Sequence, residues 1–351
     1  MTDDVWYATG TTPAAIESAL RELLSSRHRR SASFVPARVL NLVTIVDAAF
    51  SGEVENRLER LRASHPSRLI LCKVTEGQPE LNAIASIGSD GDDAAAGKVT
   101  VGREKVELTM APRHVAALDT IVGPLVIGDL PTVVWAPHGH REGVDALRRH
   151  AQVVLLDSQD EPGVEAALVR AQSLSHHLHV VDLAWLRSAP WRERVAATFD
   201  PPELRGTLSS ISAVTVRHRQ DSAAAALLFC GWLASRLGWR AASLTGGEGQ
   251  RRGRLRARRG EVSVCLKAVE LRTPGLGGVT IEAASGESVA LDRAPGGLRS
   301  VRRARNGDEQ EWTVLGASRG EAGILADGVR HALLRDPIYQ PSLQAAYTMA
   351  A

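Results

Sequence analysis

Arg38-Val39-Leu40-Asn41-Leu42-Val43-Thr44-Ile45-Val46 is a nearly continuous run of apolar and β-branched residues, and it decides the fold class. A strand that alternates polar and apolar residues has one wet face. A strand without alternation is covered on both, as in a parallel sheet packed between helices. Residues 53–63 follow, with Val54, Leu58 and Leu61 on one helical stripe, and Arg68–Val74 is a second buried strand. A strand, helix and strand of these lengths make a βαβ crossover.

Working outward, Thr12 is a helix cap with Pro13 at the first helical position, and Ile16, Leu20, Leu23 and Leu24 share a face. The basic, Ser-rich run Arg27–Ser33 ends that helix. Residues 80–87 and 98–109 alternate around an acidic, Gly-rich turn at 89–97, the pattern of an inserted antiparallel hairpin or an edge. Helical periodicity over 113–127 is interrupted at Gly123-Pro124; Thr132–Trp135 and 152–157 are short strands, and 143–150 and 162–175 are helices. Residues 183–198 are helical with a break at Ser188-Ala189-Pro190, where Ser188 is available as a cap and Trp191, Val195 and Phe199 share a face.

From Ile211–Arg217 onward the pattern changes. A helix capped by Asp221 runs to Leu237, and strands are expected at 240–244, 254–258, 261–270, 278–284, 287–292 and 310–315. A last helix over 319–334 opens on the capping box Ser318 to Glu321, and the tail from Asp336 is expected to be poorly ordered. The expected fold is α/β: an N-terminal mostly parallel sheet with flanking helices, plus a C-terminal α+β domain with an antiparallel sheet and two helices. The expected division is a Rossmann-like α/β domain without a phosphate-binding loop at 1–180, a helical connector at 181–205 and the α+β domain at 206–351.

Charge supports two units. Residues 1–200 hold 21 Lys and Arg against 26 Asp and Glu; residues 201–351 hold 21 against 14. The positive second half suits an acidic or anionic partner. Its most basic segment, Arg251–Arg259, places Arg254, Arg256 and Arg258 on one strand face with Leu255 and Ala257 on the other, which is the pattern of a solvated edge. The near-balanced total and the lack of any nucleic-acid motif weigh against nucleic acid as a partner. No apolar run approaches the ~20 residues of a membrane span. The start Met1-Thr2-Asp3-Asp4 has no basic or apolar leader character, so a cytoplasmic protein with no membrane partner is expected. Cys72, Cys230 and Cys265 lie in apolar runs and form no CxxC pair.

No catalytic constellation is legible. His138-Gly139-His140 and His176-His177-Leu178-His179 lack zinc-site spacing. There is no GxSxG elbow, and the turn after the first long strand, Asp47 to Glu53, has neither GxGxxG nor a phosphate-binding lysine. Catalytic residues, metal and cofactor are therefore all expected to be none. Trp is unusually frequent at 7, against Tyr 3 and Phe 4. Two of these fall in Asp182-Leu-Ala-Trp185-Leu-Arg187-Ser-Ala-Pro-Trp191-Arg192. Trp and Arg are enriched at binding hot spots, so Trp185, Arg187, Trp191 and Arg192 are partner-binding candidates. His65 and Arg68, at one end of the parallel sheet, are two more.

Four blocks occur in a characteristic order: Arg38-Val-Leu-Asn-Leu-Val43; His65-Pro-Ser-Arg68-Leu-Ile70; Gly123-Pro-Leu-Val-Ile-Gly-Asp129-Leu-Pro131-Thr-Val-Val-Trp135; and Asp182-Leu-Ala-Trp185 with Trp191-Arg192 and Phe199-Asp200. Over about residues 35–240 the chain resembles the glucose-6-phosphate dehydrogenase assembly protein family, OpcA, of actinobacteria and cyanobacteria. The resemblance implies an accessory protein rather than an enzyme, with glucose-6-phosphate dehydrogenase as its partner and a role in the oxidative pentose phosphate pathway and NADPH supply. Cyanobacterial members are tied to redox control through cysteines; this chain has no matching pair. Two other classes remain open from the residues. One is a sugar-phosphate-binding α/β protein or enzyme using the carboxyl ends of the sheet. The other is a nucleic-acid module using the arginine strand.

Overall fold

The computed structural model describes residues 3–30, 34–62, 65–90, 100–247, 249–315 and 320–351. These form two compact units, one made of 1–156, 178–181 and 325–333, the other of 157–177, 182–324 and 334–351.

The first unit is built on a nine-stranded sheet. Its strands are β1 (Asp4–Ala8), β2 (Phe34–Pro36), β3 (Leu40–Asp47), β4 (Ser67–Val74), β5 (Asn82–Asp90), β6 (Thr100–Met110), β7 (Thr132–Trp135), β8 (Val153–Leu156) and β9 (His179–Asp182). The order is β1-β5-β6-β4-β3-β7-β8-β9, with β2 on β6. Strand β3 pairs in parallel with both β4 and β7, from Leu40↔Ser67 to Asp47↔Val74 on one side and from Asn41↔Thr132 on the other. Every residue from Leu40 to Val46 is buried, including the polar Asn41 and Thr44, as the absence of polar-apolar alternation predicts. The helices are α1 (Pro13–Arg30), α2 (Ser51–Arg62), α3 (Leu118–Val122) and α4 (Arg141–Ala146). Thr12 accepts the Ala15 N–H through its hydroxyl, so it caps α1 as expected. The hairpin of β5 and β6 is antiparallel, but it is no insertion: β6 pairs in parallel with β4 and β5 carries β1, so both strands belong to the main sheet.

The second unit holds an eight-stranded sheet in the order β11-β12-β13-β10-β14-β15-β16-β17. Its strands are β10 (Ile211–Arg219), β11 (Thr245–Gly247), β12 (Gln250–Ala257), β13 (Gly260–Val269), β14 (Leu276–Ala283), β15 (Ser288–Ala294), β16 (Gly297–Arg303) and β17 (Glu309–Leu315). Neighbours are antiparallel except β10 and β13, which are parallel. Its helices include α5 (Val164–Ser175), α6 (Leu183–Arg187), α7 (Ala189–Phe199), α8 (Pro202–Leu208), α9 (Ala223–Leu237) and α11 (Tyr339–Ala350); α10 (Gly320–Ala332) begins here and ends among residues of the first unit. Helix α9 is apolar on all sides, and it packs on β10, β13 and α11.

Several expectations are corrected. The tail is not loose: α11 buries Leu343, Ala346 and Met349, and it lies so close to α9 that a Cβ on Gly231 would stand 2.2 Å from Ser342 O. Strands β1, β9 and β16 had no legible signal. Residues 240–244 form no strand and make only the isolated bridge Arg240↔Arg256. Ser222, not Asp221, is the residue preceding α9, because Asp221 pairs with Arg219. Ser188 stands at the start of α7 but does not cap it; its hydroxyl donates to Trp185 O. Ser318, and most of the turn at 89–97, lie outside the described residues.

Candidate functional sites

Three of the four sequence blocks meet at the amino ends of β3, β4 and β7. Asn41, fully buried on β3, donates through Nδ2 to Ile127 O (3.0 Å), Leu130 O (3.3 Å) and Thr132 Oγ1 (3.1 Å), and accepts the Ile127 N–H through Oδ1 (3.0 Å). One amide thus fastens the segment before β7 to the central strand. Arg68 donates to Glu104 Oε2 (2.7 Å) and Leu125 O (2.8 Å), and Arg38 donates to Glu104 Oε1 (2.6 Å). A buried carboxylate would be costly alone, and these two guanidiniums satisfy it. Arg68 is therefore an internal clamp, whereas His65 beside it keeps partial exposure.

The fourth block is an internal lattice of the second unit. Asp182 caps α6: its Oδ1 accepts Ala184 N–H (2.9 Å) and Ser158 N–H (3.3 Å), and its Oδ2 accepts the Ser158 hydroxyl and Tyr339 Oη (3.2 Å). Burial raises its pKa to about 6, against the lowering effect of the Ser158 hydrogen bond. Trp185 is 2% exposed; its Nε1 donates to Asp336 (2.8 Å), its ring meets Tyr339 at 5.6 Å, and Arg192 Cζ stands 3.3 Å from its centroid. Arg192 also donates to Trp185 O (2.7 Å) and to Ser188 Oγ. Burial lowers its pKa, with Asp336 and Glu193 opposing. Arg187 makes two forks, on Asp157 (2.9 and 2.6 Å) and on Glu321 (3.0 and 2.5 Å). Burial opposes its charge, but Asp157 and Glu321 more than offset this and raise its pKa. Trp191 is also 2% exposed, in the buried face of α7 with Val195 and Phe199. These four side chains are spent inside the unit, so as placed none offers a surface to a partner. Asp157, Glu321 and Asp336 are the functional neighbours that sequence reasoning missed; they lie 30, 134 and 151 positions away in the chain.

The parallel sheet reverses winding between β3 and β7, the place where open α/β sheets bind ligands. There the Phe50 ring stacks on His138 with centroids 4.6 Å apart, and His140 Nε2 stands 3.1 Å from Asp47 Oδ1. His138, Gly139 and His140 all take positive φ, at 64°, 119° and 52°. Two non-glycine left-handed residues on either side of a glycine are strained, and the ring stack and the Asp47 contact lie at these two residues. On β12 the expected alternation holds, with Leu255 buried, Arg254 and Arg256 exposed and Arg254 on Glu261 at 3.2 Å, but the strand is not an edge, because β11 and β13 pair with it on either side. Among the described residues no cluster of three or more His, Cys, Asp or Glu side chains has the geometry to hold a metal ion, and no helix is long and apolar enough to cross a membrane.

Fold and networks together define an α/β unit and an α+β unit whose signature residues serve as internal clamps. Residues 58–173 match the glucose-6-phosphate dehydrogenase subunit N-terminal domain, and residues 178–343 match the C-terminal domain of that subunit. The chain belongs to the OpcA family of glucose-6-phosphate dehydrogenase assembly proteins. Among its relatives, the protein named as OxPP cycle protein OpcA in Synechocystis is 27% identical over 243 residues, covering 66% of this chain and 49% of its own. Its counterpart in Synechococcus elongatus is 30% identical over 188 residues, 52% and 42% respectively. The chain thus spans about half the length of these relatives. Solved structures with partial likeness include an oxidoreductase from Sinorhizobium meliloti (TM-score 0.45, 12% identity, 88% of this chain and 94% of that one) and the transcriptional regulator Gal80p from Kluyveromyces lactis (0.47, 8%, 88% and 87%).

Proposed function

We propose that this chain is a non-enzymatic accessory of glucose-6-phosphate dehydrogenase, an assembly factor or activator that supports the oxidative pentose phosphate pathway and its NADPH supply. The observation that carries the reading is the match of both halves to domains described as those of a glucose-6-phosphate dehydrogenase subunit. The switch point supports it: the Phe50–His138 stack and the Asp47–His140 contact stand where a dinucleotide enzyme keeps a glycine-rich phosphate loop. An activator must bind the active form of its target more tightly than the inactive one, and a tenfold preference needs only ~1.4 kcal/mol. In this reading the Asp182–Arg192 lattice and the Arg38–Glu104–Arg68 clamp hold the shape of the docking surface, and of the six candidates His65 remains open to contact. Sedimentation velocity of the chain with the dehydrogenase encoded by the same genome tests the association. A faster boundary at stoichiometric mixing is expected; independent boundaries at tens of micromolar would refute it.

A further inference from the structure

The second unit contains a cavity of about 920 Å³, which touches the networks above only at Ser158. Its size is in the range that takes a small metabolite or cofactor. It is lined by the loop after β8, the first turn of α5, the end of β10, the turn that follows it with the start of α9, and one residue each of β12 and β13.

Three features of its wall have a chemical direction. The first turn of α5 opens into it through Gly163, Val164 and Glu165, and this twelve-residue helix has Gly163 at its N-cap with no side-chain cap. Its leading N–H groups and the positive end of its dipole are therefore available to an anion. Arg251 reaches the same turn, but its contacts to Glu165 Oε1 and Ala350 O are both long, at 3.4 Å. That is well beyond the ~2.8 Å of a strong charge-assisted bond, so a better acceptor can draw it away. The third feature is His218, only 2% exposed. Its Nδ1–H donates to Arg219 O at 2.7 Å, and burial lowers its pKa, so the ring is neutral and Nε2 carries a lone pair. Among the described residues Nε2 has no hydrogen-bond partner, and His218 lines the cavity. An acceptor placed this way can take a hydrogen bond from a hydroxyl in the cavity. Of the acidic side chains at the wall, Asp221 is paired with Arg219, and Glu165 contacts Arg251 at 3.4 Å.

We propose that this cavity binds a small hydroxylated oxyanion, its phosphate or carboxylate at the N-terminus of α5 against Arg251 and a hydroxyl donating to His218 Nε2. The proposal rests on the second unit alone and is independent of the partner assigned above.

The test is calorimetric titration of the full chain with glycerol 3-phosphate, glycerate, methyl phosphate, inorganic phosphate and glycerol. Saturable binding is expected for glycerol 3-phosphate or glycerate, whichever oxyanion the site prefers. Methyl phosphate should bind about tenfold more weakly than glycerol 3-phosphate, and glycerol not at all. Arg251→Gln should weaken binding tenfold or more. His218→Phe should erase the advantage of glycerol 3-phosphate over methyl phosphate. Gly163→Asp is the most pointed variant. A Cβ at Gly163 meets nothing within 4 Å, so the carboxylate has room to cap α5 itself. The variant should melt no lower than the wild type and lose oxyanion binding. Absence of heat with both hydroxylated oxyanions at 10 mM would overturn the proposal. So would unchanged affinity in a folded Gly163→Asp protein, or equal binding of glycerol.

Discussion

Arg187→Ala separates an internal clamp from a docking residue. In the structure the guanidinium is shared between two carboxylates, with side-chain exposures of 9% for Arg187, 8% for Asp157 and 33% for Glu321. Removing it leaves Asp157 charged and desolvated with its fork lost. Breaking one partner out of a buried pair costs ~3–5 kcal/mol, whereas the more exposed Glu321 contact contributes ~1 kcal/mol or less because water screens it. A loss of about 3–5 kcal/mol is therefore expected in urea denaturation followed by far-UV circular dichroism. The double variant Arg187→Met/Asp157→Leu should recover most of it, since two apolar side chains leave no stranded charge. Near-wild-type stability of Arg187→Ala, within 1 kcal/mol, together with lost affinity for the dehydrogenase would refute the clamp and restore Arg187 as a contact.

Three further outcomes follow from the packing and the titratable groups. Gly231→Val should force α9 and α11 apart, because its first side-chain atom falls 2.2 Å from Ser342 O; amide hydrogen exchange should rise along 339–350, and native-like protection there would count against the packing. Asp182 holds its proton to about pH 6 in the folded chain, against an ordinary 3.8. Its contribution is thus fully present below pH ~4 and is lost as pH rises through 6. The stability of wild type minus Asp182→Asn should then fall by roughly 2 kcal/mol between pH 4 and pH 6.5, and a rise would reverse the assignment. Cys72 and Cys230 are buried, and burial pushes both thiols up to about 12; a disulfide reagent at pH 8 should titrate at most one thiol, Cys265, in the native chain and three in denaturant.

Local patterns were legible wherever one face of an element faces one environment. Leu40–Val46 has no polar alternation because both faces are covered, and Thr12-Pro13 marks a helix start by the chemistry of free N–H groups. What stayed hidden depends on distant partners. Strand β9 is four residues long and β16 carries Arg299, Arg302 and Arg303, so neither shows a periodic signal. The tail pattern Tyr339, Leu343, Ala346 becomes a packed helix only because Gly231 lets α9 approach. The Trp/Arg block reads as a hot spot for the same physical reason that it works as a lattice: flat rings and forked guanidiniums seek apolar faces and carboxylates. Nothing local to residues 182–192 reveals that Asp157, Glu321 and Asp336 supply those carboxylates from within the chain. The His-Pro-Ser-Arg block is similar, since Arg68 finds its acceptor in Glu104, 36 positions later.

The role as a dehydrogenase accessory is tested most directly by initial-rate NADPH formation at a fixed concentration of the cognate glucose-6-phosphate dehydrogenase, titrated with this chain. The account predicts no turnover by the chain alone and a saturable rise in rate, or fall in substrate KM, that levels off at a fixed ratio of the two proteins. A rate and KM unchanged across the titration, or NADPH formed by the chain without the dehydrogenase, would contradict it.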